Sequence, residues 1–173
     1  MIVRLLAVAM LVTCLASASS SAQEPGSRQT REFVQAAGES DAFEMAEAYS
    51  ALAESKNPQL LAFARQMIRD HAATSRALKD ATMRAGLKPP PMGVGAGQAP
   101  FLAALQSQHG IDFDRTYWRQ QVLAHISALV VERVYAANGD TPSVRAAAVA
   151  AVPLVQSHLA MVEAISAKGG DGS

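Results

Sequence analysis

The sequence predicts an all-α protein, a four-helix bundle with a long crossover containing a short helix between helices 2 and 3. Three observations carry this. Aromatics make up only 5% of the 173 residues, too few for the aromatic and β-branched runs of a sheet protein. Alanine is abundant and favours helix. Gly and Pro fall mainly between segments whose apolar residues recur at steps of three and four, the period of an amphipathic helix. Half of the residues are apolar, enough for one buried core and too many for a disordered chain.

The elements follow in chain order. Residues 1–22 carry one early positive charge at Arg4, an apolar run from Leu5 to Leu15, and small residues ending in Ser20-Ser21-Ala22, the plan of an export signal peptide. The run is 11 residues long, against the roughly 20 that a membrane-spanning helix needs. The expected mature chain is therefore periplasmic, with no membrane span. The one cysteine, Cys14, lies inside this signal, so a chain cut after Ala22 has no disulfide and relies on packing. A second reading makes Cys14 the lipid anchor of an outer-membrane lipoprotein, although Thr13 stands where such a site wants Gly, Ala or Ser.

Residues 23–29 read as a flexible leader, and residues 30–168 as the bundle domain. Thr30 is expected to cap the first helix, which runs to about Lys56. Asn57-Pro58 supplies a cap and a first-turn proline for the second, which stops at Gly86. The proline- and glycine-rich stretch 87–98 cannot continue a helix. A short helix from Pro100 to about Gln108 follows within this crossover. Asp112 is expected to cap the third long helix, which ends at Asn138-Gly139, and Thr141-Pro142 opens the fourth, which runs to about Lys168. Residues 169–173 read as a disordered tail. Four long helices, short turns within each pair and one long connection between pairs describe a bundle of the ferritin-like kind.

Steps of three and four place Phe33, Ala37, Ser40, Glu44, Ala48 and Ala51 on one stripe of the first helix, with Glu47 slightly off it. The second helix has the stripe Leu60, Ala64, Met67, His71, Thr74, Leu78, Ala81 and Ala85, and the fourth has Val144, Ala148, Ala151, Val155, His158, Val162 and Ile165. A histidine thus interrupts each of two inner faces, and a glutamate the third. On the third helix His125 lines up with Asp114, Gln121 and Glu132, while Leu123, Val130 and Val134 face the opposite way. That second apolar side calls for a cover, either the crossover helix or a second subunit.

With a rise of about 1.5 Å per residue, Glu44 and His71 differ in height by about 3 Å, and His125 and His158 by about 4 to 5 Å. Glu44, His71, His125 and His158 are therefore the candidate metal ligands, a set suited to zinc, iron or copper. The competing reading makes each histidine a hydrogen-bonded core residue. Met67 and Met161 stand one turn from His71 and His158, where thioethers would favour Cu(I) but where core filling is the commoner role. Asp70 points about 100° away from His71, toward solvent or a neighbouring turn. His109 reads as a surface residue, and Pro153 as a kink that either aims His158 or merely bends the helix.

Other functions find less support. Lys plus Arg and Asp plus Glu number 15 each, so nucleic acid is not an expected partner. No glutamate stands three residues before a histidine, as in ferritin-type di-iron centres. No spaced nucleophile and base and no phosphate-binding loop can be read, so an enzyme is not the expectation.

Phe33 with Glu44, Phe63-Ala64 with Met67 and Asp70-His71, Phe113-Asp114 with Tyr117 and His125, and Leu154 with His158-Leu159 together resemble the bacterial family catalogued as domain of unknown function 4142. The resemblance spans roughly residues 30 to 166. It implies an exported, ferritin-like helical protein of unassigned activity, often labelled a predicted outer membrane protein. It also implies recurrent acidic and histidine positions at Glu44, Asp70, His71, His125 and His158. Ala124 departs from it, standing where the family repeats an aspartate before the histidine. Two functions are expected from these observations: an exported transition-metal binder, or an envelope interaction module that docks a partner protein or forms a homodimer through the third helix and the crossover.

Overall fold

The computed structural model describes residues 26–170, with side chains to residue 166. The signal peptide, Cys14, residues 23–25 of the leader and residues 171–173 of the tail lie outside the described residues. Five helices follow one another: α1 (Arg28–Glu54), α2 (Pro58–Arg84), α3 (Ala99–Gln106), α4 (Gly110–Asn138) and α5 (Pro142–Gly170). Among the described residues there is no strand.

The helix ends show where local chemistry differs from expectation. Ser27, not Thr30, caps α1, its hydroxyl accepting from the Thr30 amide at 3.0 Å, so Arg28 and Gln29 belong to the helix rather than to a leader. Thr30 is buried instead. Its hydroxyl lies 2.6 Å from the Tyr135 hydroxyl, donates to Asp140 at 2.6 Å and meets Thr141 at 2.8 Å, tying the start of α1 to the α4–α5 turn. Asn57 caps α2 as expected, accepting from Gln59 and Leu60 at 3.0 and 3.3 Å. Gly86 follows the helix with φ +68°, the left-handed conformation that favours glycine. The start of α4 departs again. His109 occupies its N-cap position, and Asp112 lies in the first turn. The Gly110 amide donates to Glu54 at 3.2 Å, so a carboxylate from the end of α1 replaces the expected aspartate cap. At the far end α5 continues to Gly170, past the expected stop at Lys168.

α1 packs along α2 and α4 along α5, while α1 also meets α4 and α2 meets α5. The four long helices thereby close a ring around a common interior. The short α3 lies against α1 and α4. Two larger apolar clusters and a small one of Ala128, Leu129 and Val155 fill the interior. One gathers Leu60, Phe63, Met67, Leu105, Phe113 and Tyr117; the other gathers Phe33, Leu78, Ala81, Tyr135 and Val144. The second is closed by Phe33 stacked on Tyr135, with ring centroids 4.0 Å apart. Each large side chain removed from water in these clusters contributes roughly 2 kcal/mol. Between the clusters lies a polar layer: Asp41, Glu44, Glu47, His71, Gln121, His125 and His158 are all buried.

Of the two expected covers for the outer side of α4, the crossover helix does not supply it. Leu123, Val130 and Val134 are 63%, 58% and 55% exposed, and Phe101 of α3 is itself 53% exposed. The eight residues of α3 are too short to shield a 29-residue helix. α5 runs through Pro153 without a break; Val149, whose carbonyl loses its usual donor there, is on the exposed side. By length and composition, Pro142–Ser166 of α5 is apolar enough to cross a membrane, with mean hydropathy 1.5. Its inner stripe is nevertheless spent within the protein, with Val144, Ala148, Ala151, Val155, His158 and Val162 buried.

Candidate metal centre

The four candidate ligands come from the four long helices: Glu44 from α1, His71 from α2, His125 from α4 and His158 from α5. The structure brings them together. The His71 ring centroid lies 5.8 Å from that of His125 and 5.4 Å from that of His158, and the latter two are 5.4 Å apart. One nitrogen from each ring falls within a single 4.8 Å set. Glu44 joins them, with Oε2 at 2.8 Å from His71 Nε2 and Oε1 at 3.9 Å from His125 Nδ1. All four are at most 1% exposed. The small height difference between Glu44 and His71 read from the turn is thus closed by direct contact.

Each imidazole is anchored through its other nitrogen. His71 Nδ1 is 2.8 Å from Asp41 Oδ1, His125 Nδ1 is 2.8 Å from the Gln121 carbonyl, and His158 Nε2 is 2.9 Å from Asp70 Oδ2. A ring N–H that donates to such an acceptor fixes the tautomer and leaves the opposite nitrogen with its lone pair, as in metal-ligating histidines. Of those opposite nitrogens, His125 Nε2 and His158 Nδ1 have no hydrogen-bond partner and neither does Glu44 Oε1, whereas His71 Nε2 faces Glu44 Oε2 at 2.8 Å. The close His71–Glu44 approach is an ion pair in the metal-free protein. Buried polar atoms left without partners are costly. The three imidazole nitrogens suit one transition-metal ion once His71 gives up its proton, and Glu44, which groups with Asp41 and His71, stands beside them.

Asp41 is the residue that the stripe missed. The apolar repeat selects Ser40, which is half-buried, whereas Asp41 is buried and takes hydrogen bonds from Thr74 and Ser75, each at 2.9 Å, besides His71. Its place three residues before Glu44 was the available signal, since that spacing puts both on one side of a helix. Asp70 corrects another expectation. Rotated away from the stripe, it faces α5 rather than solvent and holds His158. His109 is on the surface as expected, its Nδ1 3.2 Å from Glu54. Met67 is fully buried in the apolar cluster and Met161 packs against that same cluster, so core filling accounts for both.

Charge in the layer is strongly coupled. Burial would raise the Glu44 carboxyl, but the neighbouring His71 and His125 outweigh it and bring its pKa down to about 2. Burial would likewise lower His71, yet Glu44 and Asp41 hold it up at about 10. Without an ion, His71 is therefore an imidazolium held between two carboxylates. His158 is pushed down to about 4, chiefly by burial. Glu47 is pushed up to about 8 by burial, despite accepting from Gln121 at 2.7 Å.

A cavity of about 240 Å³ reaches the layer from the side. Asp41, Glu44, His71, Thr74 and Glu132 line it, with small residues between them and no lysine or arginine among the described residues of its wall. Burial and the charges of Asp41 and Glu44 push Glu132 up to about 8.

Among solved structures, the chain is similar in fold to a DUF305 fragment from Deinococcus radiodurans, with TM-score 0.71 and 17% identity over 83% of this chain and 99% of that one. A similar likeness joins it to a protein solved as CopM in the Cu(II)-bound form, with TM-score 0.67 and 19% identity over 80% of this chain and 96% of that one. No curated protein matches the chain in sequence. The family described as Domain of unknown function (DUF4142) matches residues 15–165, and the chain belongs to that family.

Proposed function

We propose that the protein is an exported, ferritin-like four-helix bundle, its crossover carrying α3, that holds one divalent transition-metal ion in its interior. Glu44, His71 Nε2, His125 Nε2 and His158 Nδ1 are the ligands. The observation that carries this reading is the convergence of one nitrogen each from His71, His125 and His158 within 4.8 Å in the interior, with Glu44 against His71 and outer partners already holding each ring. Three nitrogens and one oxygen without a thioether favour Cu(II) or Zn(II) over Cu(I), and Cu(II) stands highest in the divalent affinity series. The copper-bound state of a protein of similar fold agrees with this choice. The acidic cavity, which reaches Glu44 and His71, would give the ion an entrance.

The test is metal content by mass spectrometry after incubation with Cu(II) and removal of the excess. One equivalent is expected in the wild type, and at least a tenfold loss in His71→Ala/His158→Ala. Equal content in both, or none in either, would sink the reading.

A second reading rests on the exposed Leu123, Ile126, Val130 and Val134 of α4 beside Phe101. Such a patch fits an envelope partner or a second copy of the chain. Sedimentation of the purified protein should then show a dimer that Leu123→Glu/Val130→Glu dissociates; a monomer throughout leaves a heterologous partner as its only form.

A further inference from the structure

Two cavities enter the bundle from opposite sides of the ring of helices. The cavity of about 240 Å³ opens in the gap between α1 and α4, where Gly97 and Ser127 are exposed. Another, of about 200 Å³, opens between α2 and α5, where Ala73, Ala77 and Ala150 are exposed. In a ring that packs α1 on α2 and α4 on α5, these two gaps face away from each other. Both walls contain Asp41, Thr74, Glu132 and Ala151, so no more than a layer of side chains separates the two cavities.

The openings differ in chemistry. Alanines line the α2–α5 opening together with Phe33 and Leu78, and the charged side chains among the described residues of its wall are Asp41 and Glu132, at the inner end that it shares. The α1–α4 cavity carries Glu39 as well, and of the two it alone has proposed ligands, Glu44 and His71, among the described residues of its wall. Gly97 and Gln98 of the crossover form part of its rim. Glu39 is held at that rim: Gln35 donates to its Oε1 at 3.0 Å, and Gly95 leaves room for its Oε2, because a Cβ at Gly95 would overlap that oxygen. Deeper in, Glu132 Oε2 is buried without a hydrogen-bond partner. The charges of Asp41, Glu44 and His71 all act on the Glu132 carboxyl, which places it within reach of the ligand layer.

A divalent ion that crosses an apolar wall sheds hydration with nothing in return, which is costly. A cleft lined by carboxylates instead concentrates cations and speeds their association. We propose that copper reaches the histidines through the α1–α4 opening and not the α2–α5 one, and that Glu132 is the positioning residue that receives the ion on the way. Burial and its acidic neighbours keep Glu132 protonated up to about 8 in the metal-free protein; an arriving metal ion displaces such a proton, as it does from any ligand. Glu132 has this part only if the histidine site proposed above holds the ion, and the rate of binding and the amount bound tell the two apart.

Metal-free protein is mixed with Cu(II) in a stopped-flow instrument, and quenching of Trp118, the one tryptophan of the chain, is followed. Its ring centroid lies 5.3 Å from that of Phe63, which lies 6.3 Å from that of His125. Association should slow about tenfold in Glu132→Gln, a scale on which a charged cleft speeds binding, and recover in Glu132→Asp. Ser127→Leu narrows the α1–α4 opening and should slow association severalfold. Ala150→Leu at the other opening and Asp112→Asn on the surface should bind at the wild-type rate. Ser127 and Ala150 are both exposed, so their comparison decides the route even if a Glu132 variant does not fold. Every variant should finally hold one copper per chain. Binding by Glu132→Gln at the wild-type rate, or a slowing by Ala150→Leu as large as that by Ser127→Leu, overturns the route while the histidine site stands. A wild type that ends the experiment without bound copper overturns both.

Discussion

At Glu132 the structure places a carboxyl where its charge is unwelcome. It stands on the cavity wall near Asp41 and Glu44, with Oε2 unpartnered, and burial followed by those two charges raises its pKa to about 8. The unfolded chain ionises this group near the ordinary value of 4.5, so from there up to about 8 the folded state binds the extra proton and loses stability as pH rises. Glu132→Gln removes that loss. The metal-free variant should be more stable than the wild type by about 1 to 2 kcal/mol at pH 8, after allowance for solvent at the cavity mouth, and no more stable at pH 4.5. Urea unfolding at the two pH values reads this directly; a variant equally stabilised at both would point to packing rather than charge. Sequence alone put Glu132 in line with His125 but carried no sign of its titration, which depends on Asp41 and Glu44 arriving from α1. Asp70 and Asp41 escaped notice as ring-holding groups for a related reason: the histidines they hold stand on other helices. Periodicity ranks positions by apolar neighbours, and a carboxylate whose partner is a histidine on another helix has no apolar neighbours to be ranked by.

Among the elements, what was legible was what is local. Asn57-Pro58 and Gly86 bound α2 as their backbone preferences dictate, and the stripes of α2 and α5 are buried along nearly their whole length. The ends of α1 and α4 were not legible, because tertiary partners set them. Thr30 is a good cap by type, yet Tyr135, Asp140 and Thr141 claim its hydroxyl, and Ser27 takes the role three residues earlier. Glu54 similarly displaces Asp112 at the start of α4. This division of labour at α1 is testable. Ser27→Ala leaves the Thr30 amide without its acceptor and should cost about 1 kcal/mol, the usual worth of a helix cap. Thr30→Val should cost more, since it strands the buried Tyr135 hydroxyl along with the Asp140 and Thr141 contacts. Thermal unfolding of the two variants orders them; a larger loss in Ser27→Ala would reverse the assignment.

Across the whole molecule, four helices spend their central turns on charged and polar groups, and the apolar clusters on either side must carry the cost of burying them. In the metal-free protein part of that cost is met by protons: His71 stays charged up to about 10 between Glu44 and Asp41. Its stabilising contribution is full below the ordinary histidine value of 6.5 and is lost as pH rises through about 10. At the proposed site Cu(II) would take the same place, so the ion and the proton on His71 would exclude one another. Binding should release about one proton from His71, and apparent affinity should rise roughly tenfold per pH unit between pH 6 and 8, the slope of a single displaced proton. Copper at a hundred times its dissociation constant should then stabilise the fold by about 2.7 kcal/mol, by mass action on the folded state alone. The rise in melting temperature at fixed copper should accordingly be larger at pH 8 than at pH 6, and absent in His71→Ala/His158→Ala at both. A copper shift that does not change with pH would mean that the ion enters without displacing the His71 proton, and so binds elsewhere than between these three rings.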